Sequence, residues 1–501
     1  MTNRSGEDDE EQRRTTVLRR PFLRSVGIVG GIAASIPGLA SATTADTSEQ
    51  SDAAAFDAAE EWEAQADARI QDHRTATLDV HVVDADGVSL EGASVDVEMQ
   101  EHAFTFGTAL DANRLQEDSD DAEQYREYVP ELFNAAVLEN HHKWRFWEEN
   151  QELADEATDW ILEQGLDLRG HACLWADRDS YAVPADVEDA IDDGDAETVE
   201  ERTQEHIETI IDHYGDDMRH WDVVNEVIHE PEIIELIEGD DVDPVEAPIL
   251  AEWYRTATAV APDDVALDVN DYNVLVGPYE GTRDDYERQI EFLAGDDEVD
   301  LDGIGMQGHF AENEQLAPDE IMDALDRYAE AGDGAELRIT EFDMADSDWP
   351  EEEKAEFFHW FLKTAYSHPD VSDFLMWGFW DDEHWLDDAP LFDENWEEKP
   401  AYDTYTDLVF DEWWTAVSDT TDEDGSISTT AFHGTHTVTV EYDGVTVTET
   451  VSVNEDDTIE IELDDVGSGE TLTHHDPDDL DDVDDDVDHV IQWTGSSGDT
   501  E

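Results

Sequence analysis

The sequence predicts an α/β fold, a (β/α)8 barrel of the TIM type, with a small flanking β accessory domain. Eight short apolar segments alternate with stretches of helical periodicity over about 310 residues, between residues 101 and 415. Alternating strands and helices predict a parallel sheet, and eight such units in this length predict a closed barrel. The predicted strands are residues 104–108, 135–138, 167–174, 221–224, 266–269, 303–306, 338–340 and 374–376.

Acidic residues dominate the composition. The 501 residues include 137 Asp and Glu against 24 Lys and Arg, which gives a formal net charge of −113. In dilute salt this self-repulsion would destabilise a compact fold, whereas at molar salt the Debye length falls to about 3 Å and the repulsion is screened. We therefore expect an extremely halophilic source. Aromatic residues make up 9% of the chain in patterned segments, which argues against an acidic disordered protein. Nucleic acid is excluded as a partner by the charge.

The two ends of the chain carry segments of other types. Arg19 and Arg20 precede an apolar run at residues 26–40 and a small-residue ASA at 40–42, so residues 1–42 are predicted to be a twin-arginine export signal. This signal predicts a secreted, extracellular protein, and no cysteine directly follows its apolar run, so a lipid anchor is not indicated. Within residues 43–74, a disordered linker is predicted at 43–55, followed by a helix. The tail at 466–501 is rich in Asp, with Gly and Ser near the end, and is predicted to be disordered.

Two β-rich segments flank the predicted barrel, at residues 75–100 and 416–465. Both alternate apolar and polar residues with a period of two, which is typical of strands. They resemble the two halves of a transthyretin-like sandwich into which the barrel is inserted. The alternative is two unrelated β appendages. The sandwich hypothesis requires strands near 78–98 to pair with strands near 435–453.

Polar side chains follow the predicted barrel strands. Glu226 follows the fourth strand and Glu341 the seventh, and the 115 residues between them accommodate three strand–helix units. Because catalytic groups of such barrels lie at the carboxyl ends of the strands, these two carboxylates are predicted to face each other, which is the minimum equipment for cleaving a glycosidic bond. Groups suited to binding sugars follow most of the other strands: Glu139, Asn140, Lys143, His171, Trp175, Asn225, Asn270, Gln307, His309, Asp343, Trp377, Trp380 and Trp385.

Eight motifs in the same order resemble glycoside hydrolase family 10, the family of retaining endo-β-1,4-xylanases. The resemblance covers roughly residues 101–410. The motifs are ENHHKW at 139–144, RGHACLW at 169–175, WDVVNE at 221–226, NDYN at 270–273, GMQGH at 305–309, ITEFD at 339–343, WGFWDDEHW at 377–385 and LFDENWEEKPAY at 391–402.

The resemblance implies a role for each matching residue. Glu226 would be the general acid/base and Glu341 the nucleophile, about 5–5.5 Å apart as in retaining enzymes. Asn225 would bind the 2-hydroxyl of the sugar being cleaved, and His309, oriented by Asp343, would hold Glu341. Substrate-binding residues would be Glu139, Asn140, Lys143, His171, Trp175, Gln307, Trp377 and Trp385, with Asn270 and Tyr272 in support. No metal or cofactor is implied.

Three positions depart from the family pattern: His142, Ala176 and His384 replace a Met, a His and a Ser. We expect them to change the walls of the subsites and to leave the two glutamates unaffected. Two alternatives to a xylanase remain open, a cellulase or mixed-linkage β-glucanase on the same barrel and a non-catalytic secreted glycan-binding protein. The presence of both glutamates argues against the second.

Overall fold

The computed structural model describes residues 48–239, 241–346 and 349–464. Its strands are β1 (Thr75–Asp84), β2 (Ser94–His102), β3 (Thr105–Leu110), β4 (Ala135–Leu138), β5 (Asp167–Gly170), β6 (Leu174–Trp175), β7 (His220–Asn225), β8 (Ala266–Asp271), β9 (Gly303–Met306), β10 (Glu336–Phe342), β11 (Val371–Met376), β12 (Ala416–Thr420), β13 (Ser426–Phe432), β14 (Gly434–Tyr442), β15 (Val445–Val453) and β16 (Asp457–Leu463).

Strands β3 to β11 form the barrel. Neighbours in the order β3, β4, β5 with β6, β7, β8, β9, β10 and β11 pair in parallel, and β11 pairs with β3 to close the cylinder. Strands β3, β4, β7 and β9 are buried along their whole length, because helices cover the outside of a parallel barrel while side chains fill its inside. The predicted (β/α)8 barrel is confirmed, and each of the eight predicted segments overlaps a barrel strand.

One predicted strand is wrong in detail. Residues 167–174 were expected to form one continuous strand, but β5 and β6 are separate pieces that both pair with β7. Between them, the backbone N–H of Cys173 donates to the carbonyl of Asp222, and the His171 imidazole bonds the Asp222 carboxylate at 2.8 Å. The segment between β5 and β6 is thus bonded to one residue of β7 and does not continue the regular ladder.

The helices surround the barrel. They are α1 (Ser48–His73), α2 (Ala112–Gln116), α3 (Asp120–Leu132), α4 (Trp144–Glu149), α5 (Gln151–Glu163), α6 (Ala185–Asp193), α7 (Ala196–Tyr214), α8 (Glu232–Glu238), α9 (Pro248–Val260), α10 (Glu280–Ala294), α11 (Pro318–Ala331), α12 (Glu351–Ser367) and α13 (Pro400–Asp407). The predicted linker is wrong for residues 48–55, which belong to α1. Three consecutive alanines at 53–55 explain the extension, since alanine has the highest helix propensity.

The β segments on the two sides of the barrel form one sandwich. One sheet has the order β13–β1–β16 and the other β12–β2–β14–β15. Val95 of β2 lies opposite Val440 of β14, so the predicted pairing of the two segments is confirmed and unrelated appendages are excluded. Alternate residues of both sheets, including Leu78 and Val97, form a core separate from that of the barrel. The transthyretin-like resemblance itself stays a prediction.

The sandwich lies at the amino end of the barrel strands. Strand β2 leads directly into β3, and the Arg74 guanidinium donates to the carbonyl of Val371 at 2.6 Å, the first residue of β11. Arg74 also donates to the carbonyls of Tyr366 and His368 and packs over the Phe104 ring. The carboxyl ends of the strands therefore open on the opposite side.

Several predictions concern residues outside those described. They are the export signal at 1–42, the linker residues 43–47 and the acidic tail at 466–501. Among the helices that the structure describes, none is both long enough and apolar enough to cross a membrane.

Candidate active site

Glu226 follows β7 in a sharp turn. Its backbone has φ +61°, a left-handed conformation that is uncommon for a residue other than glycine. The Glu226 N–H donates to the carbonyl of Asn270 at 2.8 Å, and the Glu226 carbonyl accepts from the N–H groups of His229 and Glu230 at 3.1 and 2.7 Å. Such strained positions persist where surrounding bonds hold them, and they cluster at functional sites.

The Glu226 carboxylate is held by two neutral donors. Gln307 Nε2 donates to its Oε1 at 2.9 Å, and Trp175 Nε1 donates to its Oε2 at 2.8 Å. Burial raises the pKa of Glu226 to about 7, with Glu341 and Asp271 adding to the effect and both donors opposing it. A carboxyl group with a pKa near neutrality can both give and take a proton at that pH.

Glu341, on β10, is ionised. Its side chain accepts from Asn270 Nδ2 at 2.7 Å and bonds His309 Nε2 at 3.3 Å. Burial alone would raise the pKa of Glu341, but the bond from His309 and the charges of His171 and His309 outweigh burial and hold the pKa below its ordinary value. The two glutamates are therefore in opposite protonation states between these pKa values.

His309 links Glu341 to a second carboxylate. Its Nδ1 bonds Asp343 Oδ2 at 2.8 Å while its Nε2 faces Glu341. Burial lowers the pKa of His309, but the charges and hydrogen bonds of Asp343 and Glu341 together outweigh burial and raise the pKa to about 10. The ring is thus an imidazolium at neutral pH, and it donates charge-assisted bonds on both sides. Asp343 also accepts from Trp385 Nε1 at 2.8 Å.

Amide side chains connect the two glutamates. Asn225 Oδ1 accepts from Gln307 Nε2 at 3.3 Å and from Asn270 Nδ2 at 2.9 Å, while Thr340 Oγ1 donates to Asn270 Oδ1 at 2.8 Å. Because its oxygen faces these donors, the Asn225 NH₂ group is directed away from the network. It can then donate to a hydroxyl group of a ligand.

The flank formed by β4, β5 and β6 carries the other predicted residues. Lys143 Nζ donates to Asn140 Oδ1 at 3.2 Å and lies 4.5 Å from the centre of the Trp175 ring and 5.7 Å from that of Trp377. Burial lowers the pKa of Lys143 and, in the same region, raises that of Glu139. The His171 ring packs edge-on against Trp377, with centres 5.2 Å apart. The structure thus brings these predicted residues together in one cleft.

The predicted aromatic residues differ in their exposure. Trp385 is 53% exposed at the rim, whereas Trp377 is only 8% exposed. Trp380 does not reach the cleft, since it is 1% exposed and stacks on Trp396 with ring centres 4.2 Å apart. Tyr272 stacks against His229, beside Glu226.

The three departures from the family pattern have separate surroundings. His142 was expected in a subsite wall, and this is wrong: it is fully buried, bonds Thr158 and packs against Tyr214, and burial lowers its pKa to about 3. Ala176 lines a small cavity of about 20 Å³ beside Asn225. His384 lies under the cleft, with Nε2 3.4 Å from Asp343 Oδ2.

Sequence reasoning missed the buried carboxylate of Asp222, and it grouped Asp271 with the sugar-binding side chains at the strand ends. Asp222 holds His171, and Asp271 accepts from the N–H groups of Ile228 and Tyr272 and bonds His229 Nδ1. The available signal for Asp222 was an acidic residue between two apolar residues of the predicted strand, Trp221 and Val223. Across the described residues, no group of three or more His, Cys, Asp or Glu side chains is arranged to hold a metal ion.

Known proteins resemble the chain at three levels. The sequence profile described as glycosyl hydrolase family 10 matches residues 95–408. The anti-sigma-I factor RsgI6 of Acetivibrio thermocellus is 28% identical over 77% of this chain and 47% of its own length. Endo-1,4-beta-xylanase 5 of Arabidopsis thaliana is 28% identical over 63% of this chain and 53% of its own length. The chain therefore spans about half the length of these curated relatives.

Solved structures share the barrel. The crystal structure of native xylanase 10B from Thermotoga maritima superposes with a TM-score of 0.53 and 24% identity, over 62% of this chain and 96% of that one. At this identity the likeness shows the fold. The match to the family profile covers more than half of the 501 residues, and it includes both glutamates and the amides that join them. The chain belongs to glycosyl hydrolase family 10.

Proposed function

We propose that the protein is a retaining endo-β-1,4-xylanase that hydrolyses xylan through a covalent glycosyl-enzyme. The observation that carries the proposal is the pair of glutamates with divergent pKa values. Glu226 has a pKa of about 7 and Glu341 a lowered one. Two carboxyl groups whose environments separate their pKa values are the acid and the nucleophile that a retaining glycosidase requires.

In the first step, ionised Glu341 attacks the anomeric carbon of the bound sugar. The bond to the leaving oxygen breaks as Glu226 transfers its proton to that oxygen. A carboxylate ester forms between Glu341 and the sugar. His309 and Asn270, which hold Glu341 at 3.3 and 2.7 Å, orient its oxygens for the attack.

In the second step, Glu226 acts as a base. Once Glu341 is esterified it is neutral, so one of the charges that raises the pKa of Glu226 is gone. Glu226 removes a proton from water, the oxygen attacks the anomeric carbon, and the ester bond to Glu341 breaks. Both carboxyl groups return to their starting states, and the sugar keeps its anomeric configuration.

The remaining cleft residues would bind the polysaccharide. The NH₂ group of Asn225 would donate to the 2-hydroxyl of the sugar being cleaved. Lys143 with Glu139 and Asn140 offers donors and acceptors for hydroxyl groups, and the rings of Trp175, Trp377 and Trp385 offer apolar faces for pyranose rings.

Xylan is favoured as the substrate because the Arabidopsis thaliana relative is named as an endo-1,4-beta-xylanase. A cellulase or mixed-linkage β-glucanase on the same barrel is the second candidate. We further propose that the enzyme is exported by the twin-arginine route and works at molar salt, on the basis of Arg19, Arg20 and the net charge of −113.

The test is the release of reducing sugar from xylan, cellulose and mixed-linkage β-glucan at molar salt, with Glu341→Gln as the inactive control. We expect xylan to be cleaved and the released anomer, followed by proton NMR, to be the β form first. Cleavage of cellulose with xylan untouched would establish the second candidate. Binding of xylan without any hydrolysis would contradict the enzyme proposal and support a glycan-binding protein.

A further inference from the structure

A histidine and a tyrosine are stacked beside Glu226. The His229 and Tyr272 rings lie 3.6 Å apart at an interplanar angle of 18°. His229 belongs to the turn after β7, where its N–H donates to the Glu226 carbonyl, and Tyr272 belongs to the turn after β8. The two turns that border Glu226 on this flank are therefore in contact through these rings.

Hydrogen bonds to Asp271 fix the positions of His229 and Tyr272. This carboxylate is fully buried and bonds His229 Nδ1 at 2.7 Å, the N–H of Ile228 at 3.0 Å and the N–H of Tyr272 at 2.9 Å. Because Nδ1 faces a carboxylate that accepts from two backbone donors, it carries a proton and donates. The imidazole is thereby fixed in both tautomer and orientation.

The pair lies on the leaving-group side of the scissile bond. Trp175, on β6, and Tyr272, at the end of β8, approach Glu226 from opposite flanks of β7. His171 and Lys143 lie on the same flank of Glu226 as β6. Under the proposed function, His171 and Lys143 bind sugars on the non-reducing side of the cleaved bond, so the sugar on the leaving oxygen extends past Glu226 toward the opposite flank, where Tyr272 lies. One face of the Tyr272 ring is covered by His229, so the opposite face is the one that a pyranose ring can use.

We propose that His229 is a positioning residue that holds the Tyr272 ring as the platform for the leaving-group sugar, and so determines how well the enzyme uses a sugar as its leaving group. This inference rests on the proposed glycosidase function. His229 acts through Tyr272 and touches no reacting atom. Without the imidazole, the phenol ring would gain rotamers and lose its fixed angle, which weakens stacking by an amount typical of an aromatic pair.

The experiment compares two substrates at molar salt. Xylotetraose has a sugar leaving group, whereas β-xylobiosyl fluoride has a leaving group that needs no platform. We expect His229→Ala to lower kcat/KM for xylotetraose roughly fivefold to tenfold more than for the fluoride. Tyr272→Ala is expected to show a similar or larger difference. Adding His229→Ala to Tyr272→Ala should cause no further difference, because both act on one platform.

Two further variants separate positioning from a merely structural role. His229→Asn keeps a donor for Asp271 but lacks the ring, so we expect it to behave like His229→Ala. His359→Ala, on the outer face of α12 beside Trp62, is the matched control and should keep the wild-type ratio. Equal losses on both substrates, or recovery by His229→Asn, would overturn the inference. A wild-type protein that cleaves neither substrate would instead defeat the proposed function itself.

Discussion

Two clusters of carboxylates lie inside the same barrel, one in its lower half and one at its mouth. The lower cluster consists of Asp222, Asp268 and Asp373 with Arg169, Arg338 and His220. Asp268 Oδ2 lies 3.3 Å from Arg169 Nη1 and 3.2 Å from Arg338 Nε. Burial would raise the pKa of Asp373, but Arg338, His220 and Arg219 together outweigh burial and hold that pKa well below its usual range.

The lower cluster depends on close packing. A Cβ atom at Gly303 would lie 2.0 Å from Asp268 Oδ1, so glycine is required for the carboxylate to reach its arginines. Each buried charge there has a permanent partner of opposite sign, which is the condition for tolerating it.

The upper cluster contains the same residue type in a different environment. Among the described residues, the side chains that bond Glu226 are an amide and an indole, and those that bond Glu341 are an amide and an imidazolium. The pKa of Glu226 is raised and that of Glu341 is lowered, so Glu226 can release and regain a proton near neutral pH while Glu341 stays ionised. The partner supplied by the fold therefore decides whether a buried carboxylate is structural or reactive.

The largest effect is expected from Glu226→Gln, which removes the mobile proton of the upper cluster. General acid catalysis contributes roughly 10²–10⁴-fold, and we expect kcat/KM on xylan to fall by that factor. A 2,4-dinitrophenyl xylobioside, whose leaving group needs no proton, should release its phenol in the first turnover at close to the wild-type rate. Equal losses on both substrates would assign Glu226 a role other than acid.

Breaking the lower cluster should affect stability. Arg338→Met leaves Asp268 and Asp373 without a main partner, and such a loss costs about 3–5 kcal/mol of unfolding free energy. Urea unfolding at molar salt measures it. The control is Arg288→Met, because Arg288 is 38% exposed and pairs with surface acids, for which the expected cost is about 0–1 kcal/mol. Similar losses in the two variants would remove the distinction between buried and surface pairs.

The pH profile tests the upper cluster more finely. In the proposed mechanism Glu226 must be protonated to act, so we expect kcat/KM to fall as the pH rises through its pKa of about 7. Trp175 Nε1 donates to the ionised form and so lowers this pKa. Trp175→Phe removes the donor, which raises the pKa, so we expect the alkaline limb of the profile to move to higher pH. A shift toward lower pH would contradict this assignment.

The smallest effect is expected at His384. Its Nδ1 accepts from the N–H groups of Leu386 and Asp388, so the proton is on Nε2, 3.4 Å from Asp343 Oδ2. Asp343 has two closer donors, His309 and Trp385, both at 2.8 Å. We expect His384→Ser to change the unfolding free energy by about 1 kcal/mol at most. Activity should also stay close to that of the wild type. A loss comparable to that of Glu226→Gln would show that His384 supports the site.

Most of the barrel and of the cleft could be predicted from the pattern of the chain. Short apolar runs separated by stretches of helical periodicity show which segments are buried strands and which are helices. Parallel strands bring their carboxyl ends to one face of the barrel. Glu226 and Glu341 were placed together on that ground, and so were Lys143 and Gln307. The pattern does not report which side chain meets which, so Asp222 inside an apolar strand gave no hint that it would hold His171.

The sequence by itself determined the order of the strands, the face that carries the two glutamates and the excess of negative charge. Only the tertiary structure decided the pairing of β2 with β14, the break between β5 and β6, the burial of His142 behind the cleft and the stacking of His229 on Tyr272. The physical reason is that burial and secondary structure follow from local periodicity. The pKa of a buried acid follows instead from partners that lie many residues away in the chain.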